Sequence, residues 1–145
     1  MGDESRGEIL CRKVLEKFYE KPFPKCRPDF LVNPETGYNL ELDGYNEELK
    51  IAFEYNGIQH YEYPNGFHKT EEEFFDQTRR DGFKKEICKE MGIHLISIPY
   101  FIKYEKIMDY IEYYLPENVQ ARESLDAPEI EGIPGRSITV DFSLI

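Results

Sequence analysis

The chain has 145 residues, of which 40% are apolar, and this length suits one ordinary domain with a real core. No run approaches the roughly 18 consecutive apolar residues of a membrane span, and the start lacks the layout of a signal peptide, so we expect an intracellular protein of the cytoplasm or nucleus. The net charge of −11 argues against indiscriminate binding to a polyanion, so any nucleic-acid site must be local.

The N-terminal half predicts a helix, a short strand and a β-hairpin. Apolar residues recur at helical spacing from Ser5 to Tyr19, and Ser5 with Glu8 forms a capping box at the start. The prolines of "KPFPKCRP" end this helix, "DFLV" is typical of a short strand, and "NPETGY" indicates a turn or loop. "NLELDGY" and "KIAFEYN", joined by "NEEL", then predict the hairpin.

The C-terminal half predicts a helix, a strand and a second helix. Thr70 with Glu73 forms a capping box, and Gly92 ends the helix that it begins. The apolar run "IHLISIPY" is typical of a strand in a sheet interior. "YEKIMDYIEYYL" predicts a helix that Pro116 ends. Its predicted apolar face consists of Tyr104, Ile107, Met108, Ile111 and Leu115.

This order of elements predicts an α/β domain with a mixed β-sheet flanked by helices over residues 1–115. Residues 116–145 are acidic and contain Pro and Gly, so we expect an extended C-terminal appendage whose last residues add an edge strand or contact a partner. Three cysteines without C-x-x-C spacing indicate neither a disulfide framework nor a zinc ribbon.

Two carboxylates stand at positions where the predicted hairpin can bring them together. Alternation along the strands places Glu54 beside Asn56 on one face of "KIAFEYN", and Asp43 on the polar face of the preceding strand. Two buried anions repel unless a cation neutralises them, and carboxylate oxygens suit Mg²⁺. A turn at Asp43-Gly44, a solvent-facing Glu54 on an edge strand and a purely capping Glu8 remain as structural alternatives.

The motifs from "GE" at residues 7–8 through "FPKCRPDFL", "LELDGYNEELKIAFEYNGIQHY", "FHK" and "QTRRDGFKKEICKEMGIHLISIPY" resemble the PD-(D/E)XK nuclease superfamily. The similar branch contains the very-short-patch-repair and homing endonucleases, and the resemblance covers about residues 5 to 115. It implies a restriction-endonuclease-like fold with an α-β-β-β-α-β core, here followed by an extra C-terminal helix and tail. It also implies Mg²⁺-dependent hydrolysis of DNA by metal-activated water, with Mn²⁺ as a substitute and 5′-phosphate products.

The resemblance implies a role for each matching acid. Asp43 becomes the motif-II metal ligand, Glu54 becomes the metal-binding acid of the E-x-K element, and Glu8 becomes an outer ligand or an orienter of water. Asn56 stands where a lysine is usual, and an amide supplies no positive charge. Gln77, Asp81 and Lys84 share one helical face, which brings Lys84 toward the same pocket, unless it lies on a solvated surface.

The remaining candidates concern the substrate. Gln59 is a candidate to orient the attacking water, and His60 and His68 to contact phosphate, although isolated histidines are often structural. Two basic clusters are candidate DNA-binding surfaces or merely solvated faces. Their members are Lys21, Lys25 and Arg27 in the first cluster, and Arg79, Arg80, Lys84, Lys85 and Lys89 in the second.

Three alternatives to a DNA endonuclease remain open from the sequence. Asn56 and the acidic charge favour a catalytically silent module that binds nucleic acid or protein. A structure-specific nuclease and an RNA-directed nuclease are possible on the same fold. A single active site cuts one strand, so cleavage of both strands requires a homodimer or two visits.

Overall fold

The fold is described from a computed structural model, which describes residues 4–57 and 70–126. The elements in this part of the chain, in order, are α1 (Arg6–Tyr19), β1 (Gly44–Asn46), β2 (Ile51–Asn56), α2 (Glu71–Glu90), β3 (His94–Pro99), α3 (Tyr104–Tyr113) and α4 (Pro116–Asp126). The predicted α/β class is confirmed.

The sheet in the described part of the chain is mixed and has the strand order β1-β2-β3. β1 runs antiparallel to β2, with Gly44 opposite Phe53, so the predicted hairpin is confirmed. β3 runs parallel to β2, with Glu54 opposite Ser97 and Asn56 opposite Pro99. We expected β3 in the sheet interior. Among the described strands, however, β3 pairs only with β2 and lies at an edge, and β2 is the central strand.

Two strand predictions around the hairpin are wrong in extent. "DFLV" forms no strand, since Phe30 lies in a turn and Val32 makes only an isolated bridge to Asn39. In "NLELDGY" only the last two residues belong to β1, which continues to Asn46. The apolar residues that suggested longer strands are buried by the fold without a continuous ladder: Leu31, Leu40 and Leu42.

The two capping boxes mark the helix starts as expected. The Ser5 hydroxyl accepts a hydrogen bond from the Glu8 amide at 3.1 Å, and the Thr70 hydroxyl accepts one from the Glu73 amide at 3.1 Å. Gly92 follows α2 with φ +73°, a left-handed conformation that glycine adopts without strain. Local sequence signals therefore determine the ends of α1 and α2.

The core lies on both faces of the sheet. Ile51 and Phe53 of β2 face α1 and α3, in a cluster with Cys11, Val14, Leu15, Phe23, Ile96, Ile98, Ile107, Ile111 and Leu115. Ala52 faces the opposite way, in a smaller cluster with Leu31, Leu40, Leu42, Tyr45, Cys88 and Ile93. Glu54 and Asn56 continue the Ala52 face by strand alternation.

The apolar face predicted for "YEKIMDYIEYYL", the segment that contains α3, is only partly buried. Ile107, Ile111 and Leu115 are buried, whereas Tyr104 and Met108 are 44% and 42% exposed. Tyr104 is the first residue of α3 and lies beside Arg6, the first residue of α1, with the guanidinium carbon 5.4 Å from its ring centroid. Because α1 begins at this point, it covers the middle of α3 and leaves Tyr104 at the margin. Nothing in the structure explains the exposure of Met108.

The expectation of an extended appendage is wrong for residues 116–126, which form α4. α3 ends at Tyr113, before Pro116, and Pro116 is the first residue of α4, a position that proline suits. α4 contacts the end of α3: Asn118 donates to the Glu112 carbonyl at 2.7 Å, and Arg122 donates to the Tyr113 carbonyl at 2.6 Å. Residues 127–145 lie outside the described part, and a domain boundary near 115 stays a prediction.

None of the helices in the described ranges is long and apolar enough to cross a membrane.

Candidate active site

Asp43 and Glu54 are tied to each other across the hairpin. The Asp43 amide donates a hydrogen bond to Glu54 Oε2 at 2.7 Å, and the Tyr55 amide donates to Asp43 Oδ2 at 2.8 Å. Asp43 immediately precedes β1, and Glu54 lies in the middle of β2 with only 6% exposure. The two carboxylates therefore meet where the antiparallel pairing of β1 with β2 begins.

Lys84 reaches this pair from α2. Its ammonium lies 2.8 Å from Glu54 Oε1, and the two side chains are 13% and 7% exposed. Gln77 and Asp81 occupy the same face of α2, and Gln77 Nε2 donates to Asp81 Oδ1 at 3.1 Å. Helical spacing thus delivers a buried positive charge to Glu54, while Asn56, also buried, ends β2 two residues further on.

Glu8 lies on the first turn of α1, beside Asp43 and two cations. Its Oε2 is 3.1 Å from Lys25 Nζ and 3.5 Å from Arg12 Nη2. This oxygen is buried, and within the described residues it accepts no hydrogen bond of good geometry. Burial of a carboxylate oxygen is costly unless a cation compensates it, and Lys25 and Arg12 are the cations beside this one. The sequence predicted Lys25 only as a member of a basic cluster, but its side chain forms an ion pair with Glu8.

Arg12 is a site residue that sequence analysis missed. Its Nε donates to the Phe23 carbonyl at 2.9 Å, its Nη1 donates to Glu4 Oε2 at 2.6 Å, and its Nη2 donates to the Asp43 carbonyl. The guanidinium therefore holds the segment that carries Asp43 against α1. The available signal was its position four residues after Glu8, which places both side chains on one helical face.

The carboxyls of the cluster are harder to ionise than exposed carboxyls, because burial and nearby acidic charges raise the pKa of each. Burial raises the pKa of Asp43 to about 6, and the nearby Glu54 charge contributes. Burial also raises the pKa of Glu8 to about 6, with a contribution from Asp43. The pKa of Glu54 is raised by burial as well, against the opposing effect of Lys84. A bound cation would therefore relieve repulsion among these three acids.

The donor atoms of the cluster determine which metal ion it could hold. Across residues 4–57 and 70–126, no group of three His, Cys, Asp or Glu side chains lies close enough together to hold a metal ion. Mg²⁺, however, is commonly held by one or two carboxylates with waters completing its shell. The Asp43 and Glu54 pair fits that donor set, whereas Glu8 does not complete a three-carboxylate group. Glu8 as a direct ligand thus lacks support, and its role stays a prediction.

The other predicted residues are not gathered at this site. Arg79 is half exposed and pairs with Glu35 at 3.1 Å and with Asp76. Arg80 donates to Gln77 Oε1 at 3.0 Å, and Lys85 is exposed. Arg79 would have to exchange its carboxylate partners to bind phosphate. The predictions for Gln59, His60 and His68 fall outside the described residues.

Comparisons with known proteins give relatives without an assigned activity. No family model matches the chain, and no solved structure matches it. The chain is 47% identical over 104 residues to uncharacterized protein 033L of Invertebrate iridescent virus 3, and 42% identical over 115 residues to uncharacterized protein 307L of Invertebrate iridescent virus 6. It is 46% identical over 101 residues to uncharacterized protein 094L of Frog virus 3.

The matches cover 72%, 69% and 69% of this chain, and 54%, 58% and 65% of the respective relatives. The chain therefore spans less than two thirds of the length of the curated relatives that it matches. About seven tenths of the chain is thus similar to viral proteins that are described as uncharacterized.

Proposed function

We propose that the chain is a Mg²⁺-dependent endodeoxyribonuclease with a restriction-endonuclease-like fold of the PD-(D/E)XK type. The observation that supports this most is the arrangement of buried Glu54 with the partly buried Asp43 and Lys84, in which two carboxylates and one ammonium meet at the start of the hairpin pairing. The resemblance of the sequence motifs to that superfamily names Asp43 and Glu54 as metal ligands, and helical spacing separately directs Lys84 toward the same pocket. DNA is the expected partner.

The energetics of burial support a functional reason for this cluster. A buried ion pair is often no more stabilising than well-packed apolar side chains of similar volume. Glu54 lies between Phe53 and Tyr55 in the central strand, where an apolar residue facing Cys88 and Leu42 would be the ordinary choice. The fold alone therefore does not require a carboxylate at position 54, whereas metal-dependent hydrolysis does.

Each residue has a distinct role in the proposed reaction. Asp43 and Glu54 would hold a Mg²⁺ ion, whose chemistry there would be activation of a water and neutralisation of charge at the scissile phosphate. Asn56 stands where the motif usually has a lysine. Lys84 supplies the positive charge instead and stabilises the charge that develops on the phosphate. Glu8 orients water at the border of the site, and Lys25 contacts a neighbouring phosphate.

The remaining candidates stay predictions of the same proposal. Gln59, His60 and His68 would orient water or contact phosphate, and Arg79, Arg80 and Lys85 would bind the DNA backbone. Because such contacts release counterions, cleavage at subsaturating enzyme should weaken steeply with salt. A cut through both strands would require a second copy of the chain.

The direct test is nicking of supercoiled plasmid by the purified full chain with Mg²⁺, with Mn²⁺ and with EDTA. We expect nicking with either metal and none with EDTA, and we expect Asp43→Asn to abolish it. Asp29→Asn is the matched control, because Asp29 is an exposed aspartate in a turn. Thermal unfolding of each variant separates a loss of chemistry from a loss of folding.

One observation favours the catalytically silent module as the second candidate. Both oxygens of Glu54 already accept hydrogen bonds from protein donors, Lys84 at Oε1 and the Asp43 amide at Oε2. A site of this kind can be complete without metal. Calorimetric titration with Mg²⁺ decides between the two, since heat of binding that Glu54→Gln removes supports the nuclease. DNA binding without Mg²⁺ uptake or cleavage supports the module.

The choice between DNA and RNA, and between paired and branched substrates, needs its own comparison. Equal amounts of single-stranded DNA, duplex DNA, branched DNA and RNA are incubated with the chain and Mg²⁺. Preferential cleavage of duplex DNA supports the proposal as stated. Preferential cleavage of RNA would indicate an RNA-directed nuclease, and preferential cleavage of junctions would indicate a structure-specific nuclease.

A further inference from the structure

The outer edge of β3 is open in the described part of the chain. The His94 amide donates to the Lys50 carbonyl at 2.9 Å, so His94 directs its backbone groups toward β2. Because this direction alternates along a strand, Leu95 and Ser97 direct their backbone groups away from β2. Among the described residues, β3 has no partner strand on this side, and the amides of Leu95 and Ser97 donate no hydrogen bond. Such an edge is a template for pairing with another strand.

The sequence of β3 suits antiparallel pairing with a second copy of itself. If a two-fold axis passes beside Ile96, Leu95 lies opposite Ser97 of the second copy, and the two residues exchange both of their hydrogen bonds. The axis repeats this exchange on its other side. Pro99 is also directed outward but has no N–H, so it does not extend the pairing. A register centred on Ile96 therefore satisfies both outward amides of β3.

The flank of α3 beside this edge carries a stripe of polar and aromatic residues. The Tyr110 hydroxyl donates to the outward Ser97 carbonyl at 3.2 Å, which leaves the second lone pair of this oxygen for a further donor. Lys106, Asp109 and Tyr113 share this flank with Tyr110, because helical positions three, four and seven apart lie on one face. The stripe therefore lies next to the open edge of the sheet.

The stripe is complementary to itself in charge. A two-fold axis perpendicular to the sheet places the two copies of α3 side by side and antiparallel. Lys106 precedes Asp109 by about one turn, so this arrangement brings Lys106 of each copy beside Asp109 of the other. Glu105 and Glu112 lie about 100° and 120° around the helix from Lys106 and therefore outside the stripe. The cavity of about 480 Å³ that Lys106, Asp109 and half-exposed Phe101 line would then be covered by the second copy.

We infer that the chain forms a two-fold symmetric dimer through the outer edge of β3 and the Lys106–Asp109 stripe of α3. The partner is a second copy, because both the backbone groups of the edge and the charges of the stripe are satisfied by the same surface in the antiparallel direction. The two sheets become one continuous sheet with the β3 strands at its centre, and the open edge disappears.

The dimer would place both carboxylate clusters on one face of the combined sheet, opposite the face that α3 covers. Glu54 lies opposite Ser97, which is one residue from the axis. Three strand spacings of ~4.8 Å and an offset of ~6.6 Å along the strands put the two Glu54 Cα atoms about 16 Å apart. This consequence rests on the proposed function, and it supplies the second copy that a cut through both strands requires.

The test is the oligomeric state of the purified full chain, measured by analytical ultracentrifugation without DNA or metal. We expect the parent to sediment as a dimer. Lys106→Glu brings acids together across the axis, and Asp109→Lys brings ammonium groups together, so each variant alone should raise the dissociation constant of the dimer at least about tenfold. An equimolar mixture of the two variants should recover the parent's dissociation constant, because each copy then offers the charges that the other needs.

Two controls and one further variant locate the effect. Lys13→Glu and Asp29→Lys make the same charge changes at exposed positions away from α3, and both should dimerise like the parent. Ser97→Pro removes an outward amide without removing a hydrogen bond to β2, and should raise the dissociation constant at least about tenfold. Thermal unfolding of each variant verifies that it is folded.

The outcomes separate this inference from the proposed function. A monomeric parent overturns the dimer, and so does a dimer that survives both single charge variants, because another surface then forms it. A mixture that stays dissociated overturns the contact between Lys106 and Asp109, and a Ser97→Pro variant that dimerises like the parent overturns the edge pairing. Nicking by a monomeric parent leaves the proposed function and overturns the dimer. A dimer with the expected variant behaviour but without metal-dependent nicking supports the interface and overturns the nuclease.

Discussion

The two faces of β2 differ in what they bury. Toward α1 and α3, Ile51 and Phe53 join a continuous apolar cluster in which most side chains are completely enclosed. Toward α2, Ala52 is followed by Glu54 and Asn56, and a lysine from α2 reaches the carboxylate. A six-residue strand thus places core packing on one side and a charged cluster on the other.

The residues that face α1 and α3 stabilise the fold, whereas the charged residues that face α2 are held in position by it. Apolar burial stabilises by roughly 25 cal/mol per Å², whereas a buried ion pair gains little over an apolar replacement. The α1 and α3 face therefore accounts for most of the stability, and the α2 face uses that stability to hold charges in place.

The largest expected effect is the loss of stability when Phe53 is truncated. Phe53→Ala removes a fully buried ring and should lower the free energy of unfolding by about 3–5 kcal/mol in urea titrations. The double variant Glu54→Met with Lys84→Met should unfold at the parent's free energy or above it, because both charges leave together. If the double variant loses as much stability as Phe53→Ala, the charged face is as structural as the apolar one.

The next effect concerns the rate of cleavage. Lys84→Met removes the only described ammonium within hydrogen-bond distance of Glu54, and should lower single-turnover cleavage at saturating Mg²⁺ by roughly 10²–10³, or about 3–4 kcal/mol. Lys13→Met, at an exposed position on α1, is the matched control and should cleave like the parent. A Lys84→Met variant of full activity would show that its charge belongs to folding alone.

The sequence predicted the elements that local chemistry determines. Helix caps at Ser5 and Thr70, the glycine stop at Gly92 and the hairpin around β2 all depend on residues within a few positions of one another. Strand alternation likewise placed Glu54 and Asn56 on one face and Phe53 on the other. These features need no knowledge of distant contacts.

Features that depend on distant contacts were not predictable in the same way. "DFLV" reads as a strand, but Leu31 is buried through packing with Leu42 and Ala52 rather than through a ladder. Arg12 joins Phe23, Glu4 and the Asp43 carbonyl, which lie on three different segments, so its role is invisible in a local pattern. α4 was not predicted because side chains that contact the end of α3 stabilise it, and a local sequence pattern does not show such contacts.

The third comparison is the dependence of stability on pH. We expect the free energy of unfolding to change by an amount on the order of 1–3 kcal/mol. The pKa of Asp43 rises from 3.8 to about 6 on folding, and that of Glu8 from 4.5 to about 6. The folded state then binds more protons than the unfolded state between about pH 4 and pH 6, so metal-free stability falls as pH rises through this window.

Thermal unfolding of the metal-free chain from pH 4 to pH 7.5 measures this fall. Asp43→Asn should flatten the profile, because it removes one titrating group and also a charge that adds to the effect of burial on the pKa of Glu8. Asp29→Asn should leave it unchanged. Mg²⁺ should stabilise the parent at pH 7 and lose its effect toward pH 5, since the cation binds only ionised carboxylates. A stability that rises between pH 4 and pH 6 would contradict the buried charge repulsion.

The smallest expected effect is at Asn56, the residue that departs from the resembled motif. Asn56 is buried at the end of β2, on the same face as Glu54, but an amide carries no charge. If Lys84 supplies the positive charge, Asn56→Ala loses about one hydrogen bond, roughly 1 kcal/mol, and cleavage falls only several-fold. Single-turnover rates for Asn56→Ala and Lys84→Met, measured with the same substrate and Mg²⁺ concentration, give the contrast. An inactive but folded Asn56→Ala beside an active Lys84→Met would reverse the assignment. The charged face of β2 would then depend on an amide at the strand end, and Lys84 would serve only to neutralise Glu54.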